Sequence, residues 1–430
     1  MIDDALIRRV RDEEIRDGLR AAIDKNILPV MLEKAYPGHF AITAQQESFG
    51  RDCTWPGLDS WQLTGAYLLL GQTRLVLDYF DFVEASQRAD GNIPFAVFPE
   101  EDVRAPEKRA THLRGMRYPE DIFTYAPGRG YPERKWIGLF RHWVCEDPLS
   151  ILGNVCYILT AQEIFDCTKD LNWLKRKLPS VARAAQHLAA RIDQDGLISV
   201  TGGFYMELPP RKSRDGTAQC YAYKAFCDME MLFRAVGDEE EAERFSSRAR
   251  TLREAFRRLY WQEDRFAQYL SDEYGPVTWH GHTDVDWAAL AFGLADDAQA
   301  HILWPALEQD TVFWWGGMPT QSETIQYNYR PGELGAPVPF AHNNGPLYDL
   351  SAMGRVWYLE MTACLRYQKY ERMIEACRLV SRMGLRHGGY WHERYHLLQD
   401  KTVHPAGPVG YCEYPAVLAR TVLKSPWVFL

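Results

Sequence analysis

The chain has 430 residues, 46% hydrophobic and 13% aromatic, with a net charge of −9. This apolar content supports a large core, and the negative balance excludes the basic face a nucleic-acid partner needs. The apolar runs fall short of the about 18 residues of a membrane helix, and nine scattered Cys without a CxxC pair fit reduced thiols better than a disulfide framework.

Met1-Ile2-Asp3-Asp4 opens on charge and shows no apolar signal core, so a cytoplasmic location is expected. Residues 4–24 place Ile7, Val10, Ile15 and Leu19 on one side of a helix. Residues 37–58 are irregular and rich in Gly, Pro and aromatics. Helices over 59–71 and 73–88 follow, broken at Gly71, and Asp90-Gly91-Asn92 marks a turn. Residues 91–146 have little helical periodicity and read as one long loop, a length that usually carries function. Helical patterns then fall near 148–167 and 170–193, 216–236 and 238–260, 283–294 and 296–308, 346–368 and 369–384, and last at 411–424.

These twelve helices come in pairs, with little strand signal. The members starting near 59, 148, 216, 283, 346 and 411 are apolar on most sides, and their partners are more charged. An inner ring of six inside an outer ring of six is the economical packing. The expected fold is therefore all-α, an (α/α)6 barrel forming a single domain over 1–430. Its long loops all precede inner helices and so gather at one end.

Those loops hold the candidate chemistry. In Phe204-Tyr205-Met206-Glu207-Leu208-Pro209-Pro210-Arg211, a carboxylate sits among apolar and aromatic groups. Desolvation there would keep Glu207 protonated for general-acid work. Glu393 lies in Tyr390-Trp391-His392-Glu393-Arg394-Tyr395, ahead of the last inner helix. Two facing carboxylates about 6.5–9.5 Å apart would protonate a leaving oxygen and activate water. Glu413 is a rival base, although an acid also suits the first turn of a helix.

Arg51 and Asp52 form a donor–acceptor pair for sugar hydroxyls, or a helix-end ion pair. Trp55 follows them, and Tyr205 and Trp391 are the rings beside the two acids. Trp314 and Trp315 suit a sugar platform or ordinary packing. His342, Asn343 and Asn344 are a polar lining for hydroxyls. In His280-Gly281-His282-Thr283-Asp284 the spacing faintly resembles a metal site. Thr283-Asp284 as a helix cap, with His282 as a substrate contact, is the favoured reading, and neither metal nor cofactor is assigned. The loop 104–143 holds nine basic against four acidic residues, +5 in a negative chain. It suits an anionic group on the substrate, or is a solvated loop with chance bias. Phosphate-loop, dinucleotide and GxSxG signatures are absent from the sequence.

Arg51-Asp52 with Trp55, then Gly65-Ala66-Tyr67-Leu68-Leu69-Leu70-Gly71, then Gln87 to Pro94, resemble the opening of six-hairpin glycosidases of the glucoamylase-like, mannosylglycerate hydrolase-like and debranching-enzyme-like families. Tyr205-Met206-Glu207 resembles their acid motif, with Glu where two of those families have Asp. Trp391-His392-Glu393-Arg394-Tyr395 resembles their base motif. The resemblance implies Glu207 as acid, Glu393 as base, and Arg51 and Asp52 as holders of the reacting sugar.

The function this implies is an inverting, exo-acting glycoside hydrolase for a small glycoside, free of nucleic-acid and membrane partners. A sugar isomerase or epimerase using a His pair drawn from His280, His282, His342, His392 and His396 is the alternative. A non-catalytic sugar-binding protein is a third reading.

Overall fold

The computed structural model of the protein describes residues 4–32, 36–45, 53–94, 96–99, 123–127, 135–139, 151–200, 204, 214–309, 314, 317–319, 330, 351–397 and 402–430. Its helices are α1 Asp4–Arg8, α2 Glu13–Ala21, α3 Leu58–Leu69, α4 Thr73–Ala85, α5 Leu152–Thr168, α6 Leu171–Ala189, α7 Gly216–Val236, α8 Glu239–Tyr260, α9 Asp284–Phe292, α10 Asp297–Gln309, α11 Gly354–Arg366, α12 Tyr370–Arg386, α13 Glu413–Lys424 and α14 Pro426–Phe429.

Helices α3, α5, α7, α9, α11 and α13 pack each against the next, and α13 returns to α3, closing a ring of six. They are apolar or small on nearly every face. All of α9 is buried, as is α3 apart from Asp59 and Leu69. The outer helices bury one stripe. In α8 that stripe is Ala242, Phe245, Ala249, Leu252, Phe256 and Tyr260, while its glutamates and arginines face water. The sixth outer helix comes from the N-terminus: α2 packs on α12 and runs on through a π-helical stretch, Ala22–Ile27, against α13. One continuous apolar core reaches from Ile7 to Phe429. Among the described residues no helix is long and apolar enough to cross a membrane.

Helix starts follow capping chemistry. Asp12, Asp170, Asp215, Asp238 and Thr283 each accept a hydrogen bond from a backbone N–H of the turn that follows. The sequence-based boundaries hold to within a few residues for most helices. The expected helix from 346 is shorter, because 351–353 is extended and α11 begins at Gly354.

The low strand signal understated the sheets. Strands β1 Ala96–Pro99, β2 Phe123–Pro127 and β3 Lys135–Leu139 form an antiparallel sheet of order β1-β3-β2 inside the segment read as a long loop. Strands β4 Arg214–Asp215, β7 Tyr269–Ser271 and β8 Gly275–Pro276 make a second sheet, and β5 Trp261–Gln262 pairs with β6 Arg265–Phe266. The third, of order β11-β10-β9, joins β9 Ser351–Met353, β10 His392–Leu397 and β11 Val403–Val409. These strands are short and their faces are not cleanly alternating, so period-2 patterning is weak.

Trp391, at the entry to β10, is fully buried, and its ring Nε1 donates to the Val380 carbonyl of α12 at 2.9 Å. It fits because α12 carries Gly384, where a Cβ would overlap the ring. Gly384→Ala gains about 1 kcal/mol of helix propensity and meets an overpacking cost of about 1–3 kcal/mol. Packing should win: the urea midpoint is expected to fall with an unchanged m-value, whereas a rise would show that the ring is not seated there.

Candidate active site

Contacts between first turns show that the inner helices begin at one end. Arg355, the second residue of α11, donates through Nε to Glu413 Oε1 at 2.9 Å and through an Nη to Asp59 Oδ1 at 3.1 Å. Glu413 opens α13 and Asp59 lies in the first turn of α3, places where the helix dipole favours an acid. Tyr411 Oη donates to the same Asp59 oxygen at 2.9 Å. The helices come this close because Gly354 has no side chain; a Cβ there would press on Glu413 Cγ and the Tyr414 amide. Across the ring, Thr217 of α7 donates to Asp284 of α9 at 2.5 Å.

Glu413 is wholly buried, and its Oε2 has no hydrogen-bond partner among the described residues. Burial lifts its pKa to about 8, with Arg355 opposing and Asp59 and Glu393 adding to the rise. Arg355 stays protonated despite burial, because Glu413 and Asp59 favour its charge.

Glu393 stands at a bulge. Between the pairs His392–Val409 and Arg394–Ala406, Glu393 alone on β10 faces two residues of β11, Gly407 and Pro408, so the extra residue lies in β11. The His392 N–H donates to Tyr395 Oη at 3.0 Å. Glu393 Oε2 accepts from Arg394 at 2.8 Å, and the side chain keeps 16% of its surface exposed. Gly407 of β11 sits beside it with φ +75°, and a Cβ there would collide with the carboxylate. Both the backbone and the space require glycine.

The structure brings only some of the sequence candidates to this end. Trp391 is a wall residue and cannot touch a sugar, because its ring is fully enclosed. Trp314 packs on the Arg372 guanidinium, 4.5 Å from ring centroid to Cζ, in the outer wall. There Arg372 bonds Glu360 at 2.7 Å, so packing, and not a sugar platform, is the role the structure supports for Trp314. Trp55 is buried just ahead of α3. His282 bonds Asp286 at 3.3 Å and His280 bonds Gln268 at 2.5 Å. Thr283 is the cap of α9, reciprocated by Asp286. Arg51, Asp52, Tyr205, Glu207, Trp315, His342, Asn343 and Asn344, and the side chains of the basic loop 104–143, lie outside the described residues. Flanking the acid stretch, Phe204 stacks on Tyr221 and its N–H donates to Asp215 at 3.3 Å.

Asp59, Arg355 and Tyr411 escaped the sequence reading. The available signal was positional: each belongs to, or directly precedes, the first turn of an inner helix.

Residues 154–309 match the model of the bacterial α-L-rhamnosidase six-hairpin glycosidase domain. The matched stretch is part of an (α/α)6 barrel, and the likeness to six-hairpin glycosidases is one of sequence over that stretch and of fold over the chain. A GH78 rhamnosidase of a Bacillus species shares the fold at TM-score 0.61 and 15% identity, over 97% of this chain and 35% of its own. A Klebsiella oxytoca rhamnosidase, solved with rhamnose bound, aligns at TM-score 0.63 and 12% identity over 97% of this chain and 65% of its own. The chain therefore spans about a third and just under two thirds of these two relatives. The GH63 mannosylglycerate hydrolase of Thermus thermophilus, solved with glucose, aligns at TM-score 0.59 and 12% identity over 95% of this chain and 99% of its own. At these identities the likeness is one of fold. No curated protein matches the chain in sequence.

The Glu413 proton predicts a pH signature. Between the unfolded value of 4.5 and about 8, the folded protein keeps a proton that the unfolded chain has released. Stability from this group is present at low pH and is lost as pH rises through about 8. Glu360 and Asp228, lifted by burial to about 6 despite their Arg372 and Lys224 partners, act in the same sense in any variant. Urea unfolding at several pH values should show wild type losing stability relative to Glu413→Gln from about pH 4.5 to about pH 8. A constant difference would place the proton elsewhere.

Proposed function

We propose that the protein is an inverting, exo-acting glycoside hydrolase, with Glu207 as general acid and Glu393 as general base. The observation that carries this reading is the partly exposed Glu393, opposite the bulge of β11, at the barrel end where the inner helices begin, in a chain whose residues 154–309 match a six-hairpin glycosidase domain. A base must meet both water and the sugar face, and partial exposure beside Arg394 suits that task. Glu413 suits it poorly, being enclosed and bonded to Arg355.

The substrate class is a small glycoside whose hydroxyls meet polar groups at the mouth, with Arg51 and Asp52 holding the reacting sugar. Rhamnosides and glycosides of glycerate are the first to try, because fold neighbours carry those activities in their names. The excess charge of loop 104–143 favours an anionic group on the substrate. We take the chain as one domain on the strength of its continuous core. A cytoplasmic setting agrees with nine scattered Cys that form no CxxC pair.

Activity on a panel of aryl and natural glycosides tests the proposal, with NMR of the first-formed anomer. Inversion is expected; retention would overturn the water mechanism. Glu207→Gln and Glu393→Gln should each lower kcat/KM by about 10²–10⁴-fold while circular dichroism stays unchanged. Wild-type-like turnover in either variant sinks that assignment.

Replacing Arg109 and Arg114 by Ala should raise KM for a carboxylate-bearing glycoside and leave that of its neutral counterpart alone. Equal KM values for both substrates before and after would remove the anionic preference.

A further inference from the structure

The first turn of α13 lies against the strand that carries Glu393. Side chains two apart on a strand share a face, so Glu393 and Tyr395 look the same way from β10. Tyr395 meets Tyr414 of α13 with ring centroids 5.7 Å apart, and Glu413 is the residue before Tyr414. The antiparallel register gives the same placement from the other side. Arg394 pairs with Met353. One step on, Glu393 comes level with Gly354, whose missing side chain makes room for Glu413 Cγ. Arg355 follows Gly354 and holds Glu413 Oε1. Glu393 in turn adds to the field at both Glu413 and Arg355.

Charge decides what Glu413 does there. Three acids gather at this point: Asp59 from α3, Glu393 from β10 and Glu413 from α13. They face two guanidinium groups, Arg355 and Arg394. The tyrosines around Glu413 (Tyr221 from α7, Tyr395 from β10, Tyr411 and Tyr414) stay neutral because burial raises their hydroxyls. Burial does the same to the Cys156 thiol of α5, near Asp59 and Arg355. Like charges crowded into a poorly solvated site do not all ionise, so one acid keeps a proton. A general base works only in its ionised form, and a proton on Glu393 would disable it. Glu413 is the better holder, because it is wholly buried while Glu393 keeps contact with solvent.

We propose that Glu413 is a positioning residue for the base: held on Arg355 in its neutral form, it spares the site a further negative charge and so keeps Glu393 ionised. The proposal rests on the reading of Glu393 as base.

Carboxyl ¹³C NMR of the full chain labelled at glutamate tests it, with the Glu393 and Glu413 signals assigned from Glu393→Gln and Glu413→Gln. In wild type the Glu393 signal is expected to move once as Glu393 ionises, and again by a smaller step as Glu413 ionises at about 8. Glu413→Gln, a neutral group of the same shape, should abolish the second step and leave the first in place. Arg355→Gln should raise the first step, and the acid limb of kcat/KM with it, by about one pH unit. If Arg355→Gln fails to fold, the Glu413→Gln titration decides. A single step in wild type, an unmoved limb in folded Arg355→Gln, or a first step lowered by about one pH unit in Glu413→Gln would each overturn the inference. Failure of the base assignment reads differently. Wild-type-like turnover in Glu393→Gln removes the base itself, whereas an inactive Glu393→Gln beside a single-step titration removes only the part given to Glu413.

Discussion

Arg355 faces two carboxylates that come from opposite ends of the chain, Asp59 near the start and Glu413 near the finish; Arg355 and Glu413 are buried and Asp59 is largely so. One guanidinium cannot neutralise two carboxylates, and a surplus negative charge in a poorly solvated site is heavily penalised. The fold resolves the imbalance with a proton on Glu413, the more deeply buried acid. Asp59 takes the Tyr411 hydroxyl as a second donor and retains some contact with solvent. The first turns of α3, α11 and α13 are thereby fixed relative to one another, and the rim of the barrel mouth inherits its shape from that.

The same seam is tied a second time lower down. Helices α3 and α13 meet only because the ring closes, and closing a loop of this length costs chain entropy. Arg420 repeats the solution used by Arg355: from α13 it donates to backbone carbonyls of α3 and to Glu163 of α5. Gly65 leaves the room, since a Cβ there would overlap the guanidinium. A hydrophobic contact could have joined the helices as well, but directional donors at two heights also set how far each helix slides along its neighbour. A register error of one turn would strand buried charges at both levels, which penalises misassembly strongly.

Helical periodicity revealed most of the scaffold, because inner and outer helices differ in how many faces they hide. The contrast between α9, buried all round, and α8, with one apolar stripe, is a difference in local composition, and local composition is visible in a sequence. The sheets were harder. Glu393 could be singled out from its aromatic neighbours, but the bulge opposite it could not, because that depends on pairing with β11 and on Gly407. Trp391 and Trp314 illustrate the converse: tryptophan in a loop is compatible with stacking on sugar or filling a wall, and only the opposite surface, here Gly384 and Arg372, decides. Arg355 was illegible for a related reason. Nothing local distinguishes an arginine at the start of a helix from a solvated one until the helices carrying Asp59 and Glu413 are placed beside it.

What makes Glu393 more than an acid in a strand is the stiffness of its surroundings. The residue two before it, Trp391, is locked into the wall by its ring hydrogen bond to Val380. The residue two after it, Tyr395, is enclosed against Tyr414, with ring centroids 5.7 Å apart. That same Tyr395 turns its hydroxyl back to the His392 amide, so this donor is satisfied beside the irregular step in the pairing. A carboxylate between two immobile rings, braced by Arg394 and pressed by Gly407, has little freedom to relax toward solvent. Position fixed in advance by packing lowers the entropy and reorganisation cost of any reaction that needs a charge at that point. The aromatic residues around the acid therefore contribute by holding its backbone still.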